Sequence, residues 1–219
     1  MKKIFALVLA LALVMAMAAC TPATNNDATN GTTEATTEAT NGATEGTTEA
    51  TTEATTGTTV DSNSATLTLL NSIWAQFPEE GKFPVMGGDA ENPNWEGPGS
   101  VTLPGAEGNA LWNLNIPDEQ LPNIAEAATM IHAMNTNTFA GCTLKLVEGA
   151  DEATVAKAIV DAILNTRWMC GFPERVVVVS ANGCLVVAFG HEGNITNLLT
   201  AINTVDASAT VLHNEVIGE

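Results

Sequence analysis

One stretch of this chain gathers opposite charges by its spacing, the two segments on either side of Asn182-Gly183. Asn-Gly between apolar runs is a strong hairpin signal, because both residues accept the positive φ that a type I′ turn needs. Folding the chain back at that point sets Glu174 and Arg175 beside Gly190, His191 and Glu192. A helix expected to start just beyond adds its N-terminal amides, so the group could take an anion or a peptide carboxylate. A solvated ion pair is the simpler use of the same side chains. Trp95, set among Asp89, Glu91, Asn94 and Glu96, is a second candidate, since its indole could stack a sugar or clamp a cation. Its simpler role is to pin the surrounding loop to the domain.

The sulfur chemistry is sparse. Four cysteines occur, at 20, 142, 170 and 184. Pairing about Asn182-Gly183 leaves Cys184 at the turn and Cys170 beyond the open end, roughly 17–20 Å away at the rise of a strand. A disulfide needs Cα atoms within about 7 Å, so Cys170–Cys184 is excluded. Cys142, Cys170 and Cys184 are each expected to be buried as small hydrophobes. Neither CxxC nor any Cys/His spacing suggests zinc, and residues 89–96 do not follow the EF-hand order. GxSxG, HExxH, Walker and GxGxxG patterns are missing. A Cys–His nucleophile drawn from His132, His191 or His213 has no local signature. The expectation is therefore no catalytic residue, no metal and no cofactor.

The elements that position these residues follow from periodicity. Residues 64–77 read as a helix capped by Ser64, with Leu67, Leu70, Ile73, Trp74 and Phe77 at helical spacing and Pro78 ending it. Residues 78–109 read as a long irregular loop, a feature that is often functional. Ala110–Ile116 reads as a short strand. Pro117–Glu119 then resembles a first helical turn, and Leu121, Ile124, Ala128, Ile131 and Met134 supply a helix face as far as Asn135. Six further elements follow: a strand 138–147, a helix from its Asp151 cap to 169, strands 174–181 and 184–189, a helix 194–205 capped by Asn194, and a strand 207–216.

That order is β-α-β-β-α-β, so the expected class is α+β with a ferredoxin-like antiparallel sheet and extra N-terminal helices. Right-handed crossovers would then put helices 151–169 and 194–205 on one face of it. The valines at 176–179 suit a strand buried on both sides. Residues 61–219 suit one domain of ordinary size.

The start of the chain concerns location. Lys2 and Lys3 precede an apolar run from Ile4 to Ala19 that ends in small residues. This is the form of a signal peptide, 1–19, and is short for a spanning helix. Met17-Ala18-Ala19-Cys20 resembles the lipobox of bacterial lipoproteins. That resemblance implies cleavage before Cys20, lipidation of its thiol and anchoring at the outer face of the cell membrane. Two acyl chains at one residue meet the requirement for stable anchoring. Residues 20–60 then form a tether in which Thr-Thr-Glu-Ala occurs at 32–35, 36–39, 47–50 and 51–54. So little apolar content with one sign of charge predicts disorder. A flexible chain of that length spans about 35 Å root-mean-square.

After Cys20 only five basic residues stand against 25 acidic ones. Such a surface repels phosphate, so nucleic acid is excluded as a partner and the domain is not expected to lie on an anionic bilayer.

Part of the domain is similar to a family of small lipoproteins of Gram-positive bacteria that share a domain of unknown function. The similarity runs from about Leu114 to Ile202. It rests on the inward helix ending near Met134, the strand through Cys142-Thr143-Leu144-Lys145-Leu146 and the helix from Asp151. Phe172-Pro173 and the hairpin into Leu185-Val186-Val187 complete it. That family often has Tyr before this Pro, where this chain has Phe172. The resemblance implies location and fold and supplies no reaction.

Together these features describe a membrane-anchored extracytoplasmic protein that binds an extracellular protein or small ligand without catalysis. The expected ligand-binding residues are Arg175, His191, Glu192 and Trp95. The alternative is an envelope-associated enzyme or accessory factor using the His191/Arg175 end of the sheet.

Overall fold

The computed structural model describes residues 64–103 and 111–218; the expected signal peptide 1–19 and the tether 20–60 lie outside the described residues.

The valine run faces two ways. Val176 and Val178 join one buried apolar cluster, and Val177 and Val179 join another. A strand buried on both faces needs cover on both, which calls for helices above and below the sheet. The domain is α+β, with an eight-stranded sheet whose strand pairs are all antiparallel. Its strands are β1 (Val85–Gly88), β2 (Pro93–Asn94), β3 (Gly99–Val101), β4 (Ile124–His132), β5 (Phe139–Leu146), β6 (Arg175–Ala181), β7 (Cys184–Gly190) and β8 (Thr210–Val216). They lie in the order β2-β1-β4-β5-β7-β6-β8, and β3 also pairs with β4. The helices are α1 (Ala65–Ala75), α2 (Glu152–Leu164) and α3 (Glu192–Val205).

The ferredoxin-like order does not hold. That order would return β8 beside β5, but β4 occupies that edge and β8 pairs with β6. The change moves the helices as well. Both crossovers, β5 to β6 and β7 to β8, now step the same way across the sheet, while the two strand pairs run in opposite directions. Right-handed connections then require the helices to lie on opposite faces. Val155, Ile159 and Ile163 of α2 bury against Val176 and Val178. Ile195, Leu198 and Ala201 of α3 bury against Val177 and Val179, together with Leu70 and Ile73 of α1.

Several local readings hold. The Ser64 hydroxyl accepts from the Leu67 amide at 3.2 Å and Asp151 accepts from Thr154 at 2.7 Å, so both caps act as expected. Asn182 and Gly183 have φ of 47° and 73°, the signature of the type I′ turn.

Others change. Residues 117–135 are not a helix: Asp118–Asn123 is a 3-10 turn and Ile124 onward is strand β4. An almost continuous apolar run satisfies helical spacing and a doubly buried strand alike, so periodicity alone does not separate them. Trp112–Leu114 is a 3-10 turn where a strand was expected. The segment 78–103 holds β1, β2 and β3 rather than an irregular loop. Helix α2 stops at Leu164, five residues early, and His191 rather than Asn194 is the N-cap of α3. Asn194 instead donates from Nδ2 to the Thr138 carbonyl at 3.2 Å.

Candidate functional site

The register places several chain reversals at one end of the sheet. Ile131 faces Ala140, Phe139 faces Gly190, and Arg175 faces both Gly190 and Val216. The segments 133–138 and 165–174 and the start of α3 therefore meet there.

The first candidate cluster forms as the hairpin spacing predicts, and its polar groups are already engaged with one another. Arg175 donates from Nε to Glu192 Oε2 at 2.8 Å and from Nη1 to Asn214 Oδ1 at 2.8 Å. The Glu192 amide, in the first turn of α3, donates to Glu174 Oε2 at 2.7 Å. The chain's own carboxylate thus fills the helix-terminal position that an anion would take. His191 lies alongside with an exposed side chain, and its amide donates to the Thr138 carbonyl at 3.0 Å.

Trp95 stands apart from this cluster, in the turn between β2 and β3, and is 69% exposed. Its turn is tightly built. Asn94 donates from Nδ2 to the Pro98 carbonyl at 2.8 Å and accepts from the Glu96 amide at 3.1 Å. Nearby, the nearly buried Asp89 carboxylate accepts amide hydrogen bonds from Glu91, Asn92 and Thr102. Burial alone would raise its pKa, but the amides of Thr102, Asn92 and Glu91 outweigh it and hold the carboxyl below its usual range. The stability from this charged form is present above an unfolded carboxylate value of about 3.9 and disappears as pH falls through the lower folded value. Melting temperatures from pH 6 to pH 2.5 should therefore fall more steeply for the native chain than for Asp89→Asn. The variant should be the less stable protein at pH 6, because one amide loses its acceptor. Parallel curves would remove Asp89 from the acid response.

The cysteines divide. Cys142 and Cys184 are buried and free, and burial raises both thiols, with Glu126 adding to the effect at Cys184. Cys170 is free and exposed, against the expectation of burial, and its φ is 61°.

That residue opens onto a feature that spacing did not disclose. A cleft of about 510 Å³ at this end of the sheet is lined by Met86, Met134, Met169 and Cys170, with His132 and the segment 133–137. Its walls are tied together by Asn137, whose Nδ2 donates to the carbonyls of Met169 at 2.9 Å and Gly171 at 3.1 Å. His132 stacks on Phe83 with centroids 5.1 Å apart and planes at 13°. Its Nδ1 accepts from the amides of Met134 at 3.1 Å and Asn135 at 3.3 Å, which leaves the proton of the neutral ring on Nε2. Sequence reasoning missed the cleft because its sulfurs come from three segments far apart in the chain. The legible signal was composition. Of four methionines in the described residues, Met86, Met130, Met134 and Met169, only Met130 is fully buried.

Comparison with known proteins finds no matching family model, no matching curated protein and no matching solved structure. Among the described residues, no group of three or more His, Cys, Asp or Glu side chains is placed to hold a metal ion, and no helix is long and apolar enough to cross a membrane.

Proposed function

We propose that this chain is a lipid-anchored, extracytoplasmic binding module, non-catalytic, whose binding surface is the end of the sheet that carries Met134, Met169 and Phe172. One contrast carries this reading. At that end, Arg175, Glu174 and Glu192 are engaged with one another, while Met134, Met169 and Phe172 are large apolar side chains left exposed. Exposed apolar groups beside a cleft mark contact sites, and methionine suits an adaptable one. The leader and the lipobox resemblance at Met17–Cys20 support a place at the outer face of the membrane.

Two measurements test this reading. Radiolabelled palmitate should enter the native protein and not Cys20→Ser; equal labelling would remove the anchor. In a thermal-shift screen of sugars, peptides and metal ions on the full chain, a saturable ligand should raise the melting temperature. Met134→Ser with Phe172→Ser should reduce the shift, and His191→Ala should leave it intact. A shift abolished by His191→Ala or Arg175→Ala would point instead to an enzyme or accessory factor using that end of the sheet.

A further inference from the structure

We propose that the cleft formed by Met86, Met134, Met169 and Cys170 binds a soft monovalent metal ion, Cu(I), through three thioethers and one thiolate. The inference rests on the reading of this chain as a binding module and names the ligand of that surface.

The distribution of sulfur carries the argument. Three of the four methionines in the described residues and the only exposed cysteine among them line this one cleft. Met134 and Met169 are 80% and 72% exposed, an unusual placement for thioethers that serve only packing. Ligand softness then selects the ion. Thioether and thiolate favour Cu(I), whereas Mg²⁺ and Ca²⁺ need carboxylate and carbonyl oxygen. No Asp or Glu lines the cleft. Zinc takes Cys, His and carboxylate ligands, and the cleft offers one thiol beside a histidine whose Nδ1 is engaged by two amides. His132 is therefore a positioning residue here, holding the backbone of Met134 and Asn135.

Two further features suit the assignment. Cys170 holds φ of 61°, a conformation that non-glycine residues adopt at some energetic cost and that often accompanies a functional role. Asn137 clamps the segment bearing Met169 and Cys170 to the one that follows Met134, which fixes the spacing of their backbones while the unbranched methionine side chains adapt. On binding, the Cys170 S–H bond breaks and a sulfur–copper bond forms; the proton passes to solvent, and copper keeps its oxidation state. The strong negative charge of the chain favours capture of a cation and disfavours an anionic competitor.

The test titrates Cu(I) anaerobically into the full chain carrying Cys20→Ser, in competition with a chromophoric Cu(I) chelator. The expected result is removal of one equivalent of copper from the chelator, with sulfur as the main scatterer in X-ray absorption. Cys170→Gly, which suits the positive φ, should abolish the competition, as should Met134→Leu combined with Met169→Leu. Asn137→Ala should weaken binding by roughly 10-fold, the scale of a lost outer-shell contact. Circular dichroism identical to the parent keeps these losses interpretable, because all four residues lie at exposed or partly exposed positions. Copper left wholly on the chelator overturns the proposal, and so does competition undiminished in the sulfur variants. If copper fails while a peptide or sugar still raises the melting temperature through Met134 and Phe172, the metal assignment falls and the binding module stands.

Discussion

Gly87→Ala is expected to destabilise the domain by about 3 kcal/mol or more, a cost set by backbone overpacking. Gly87 lies in β1, which shares one edge of β4 with β3 and approaches β3 there. A Cβ at this position would fall against the Gly99 amide nitrogen, the Thr129 carbonyl oxygen and the Pro98 carbonyl carbon. All three are backbone atoms, so no change of rotamer relieves the contact. Gly99 shows the reciprocal constraint, its added Cβ meeting backbone of Gly87 and Gly88. Neighbouring bonds hold the strands at this distance: Thr129 Oγ1 accepts from the Gly88 amide at 2.9 Å and donates to the Gly88 carbonyl at 3.0 Å. Alanine must push β1 from β4, breaking that buried pair and moving Met86 out of the cleft wall. At about 2–4 °C per kcal/mol for a domain of this size, the melting temperature should fall by roughly 10 °C. A variant melting within about 1 °C of the parent would show that the close approach carries no constraint.

Phe139→Ala should cost a similar amount, about 3–5 kcal/mol for an aromatic removed from a core. Phe139 is fully buried at the first residue of β5. Its ring lies 5.2 Å from Phe83 and 6.2 Å from Phe77, and Phe83 in turn stacks on His132. Truncation therefore opens a cavity behind the ring that holds His132 in place. Against a typical total stability of about 5–15 kcal/mol, this loss is large. Urea unfolding should show the midpoint falling with the slope unchanged. Amide exchange of Met134 and Asn135 should quicken beyond the global effect, because His132 Nδ1 is their acceptor. Phe172→Ala, at an exposed position of the same end, should change stability by less than about 0.5 kcal/mol. Equal effects at Phe139 and Phe172 would contradict this account of the core.

The two candidate sites were legible to different degrees. The Arg175–Glu192 cluster could be placed from sequence because a single Asn-Gly turn sets the register of β6 against β7. Sequence could not show that Glu174 would reach the first turn of α3, since this depends on how the helix leaves β7. The sulfur cleft was illegible for a different reason. Met86 comes from β1, Met134 from the turn after β4, and Met169 and Cys170 from the segment after α2. No local pattern links residues whose meeting depends on which strands are neighbours.

What the sequence determined by itself is what forms within a few residues. It set the caps at Ser64 and Asp151, the type I′ turn, the doubly buried valine strand, and the succession of elements from β5 to β8. These signals are local, and each rests on one side chain, one permitted φ or one short period. Tertiary structure decided the rest. The apolar run 124–132 became strand β4 because the free edge of β5 and both apolar clusters could be covered at once by a strand buried on both faces. With that edge taken, β8 paired with β6 at the far side, and the handedness of its crossover sent α3 to the face opposite α2. Strand partnership is a competition among whole segments for the same backbone hydrogen bonds and the same buried surface, and only the assembled sheet settles it.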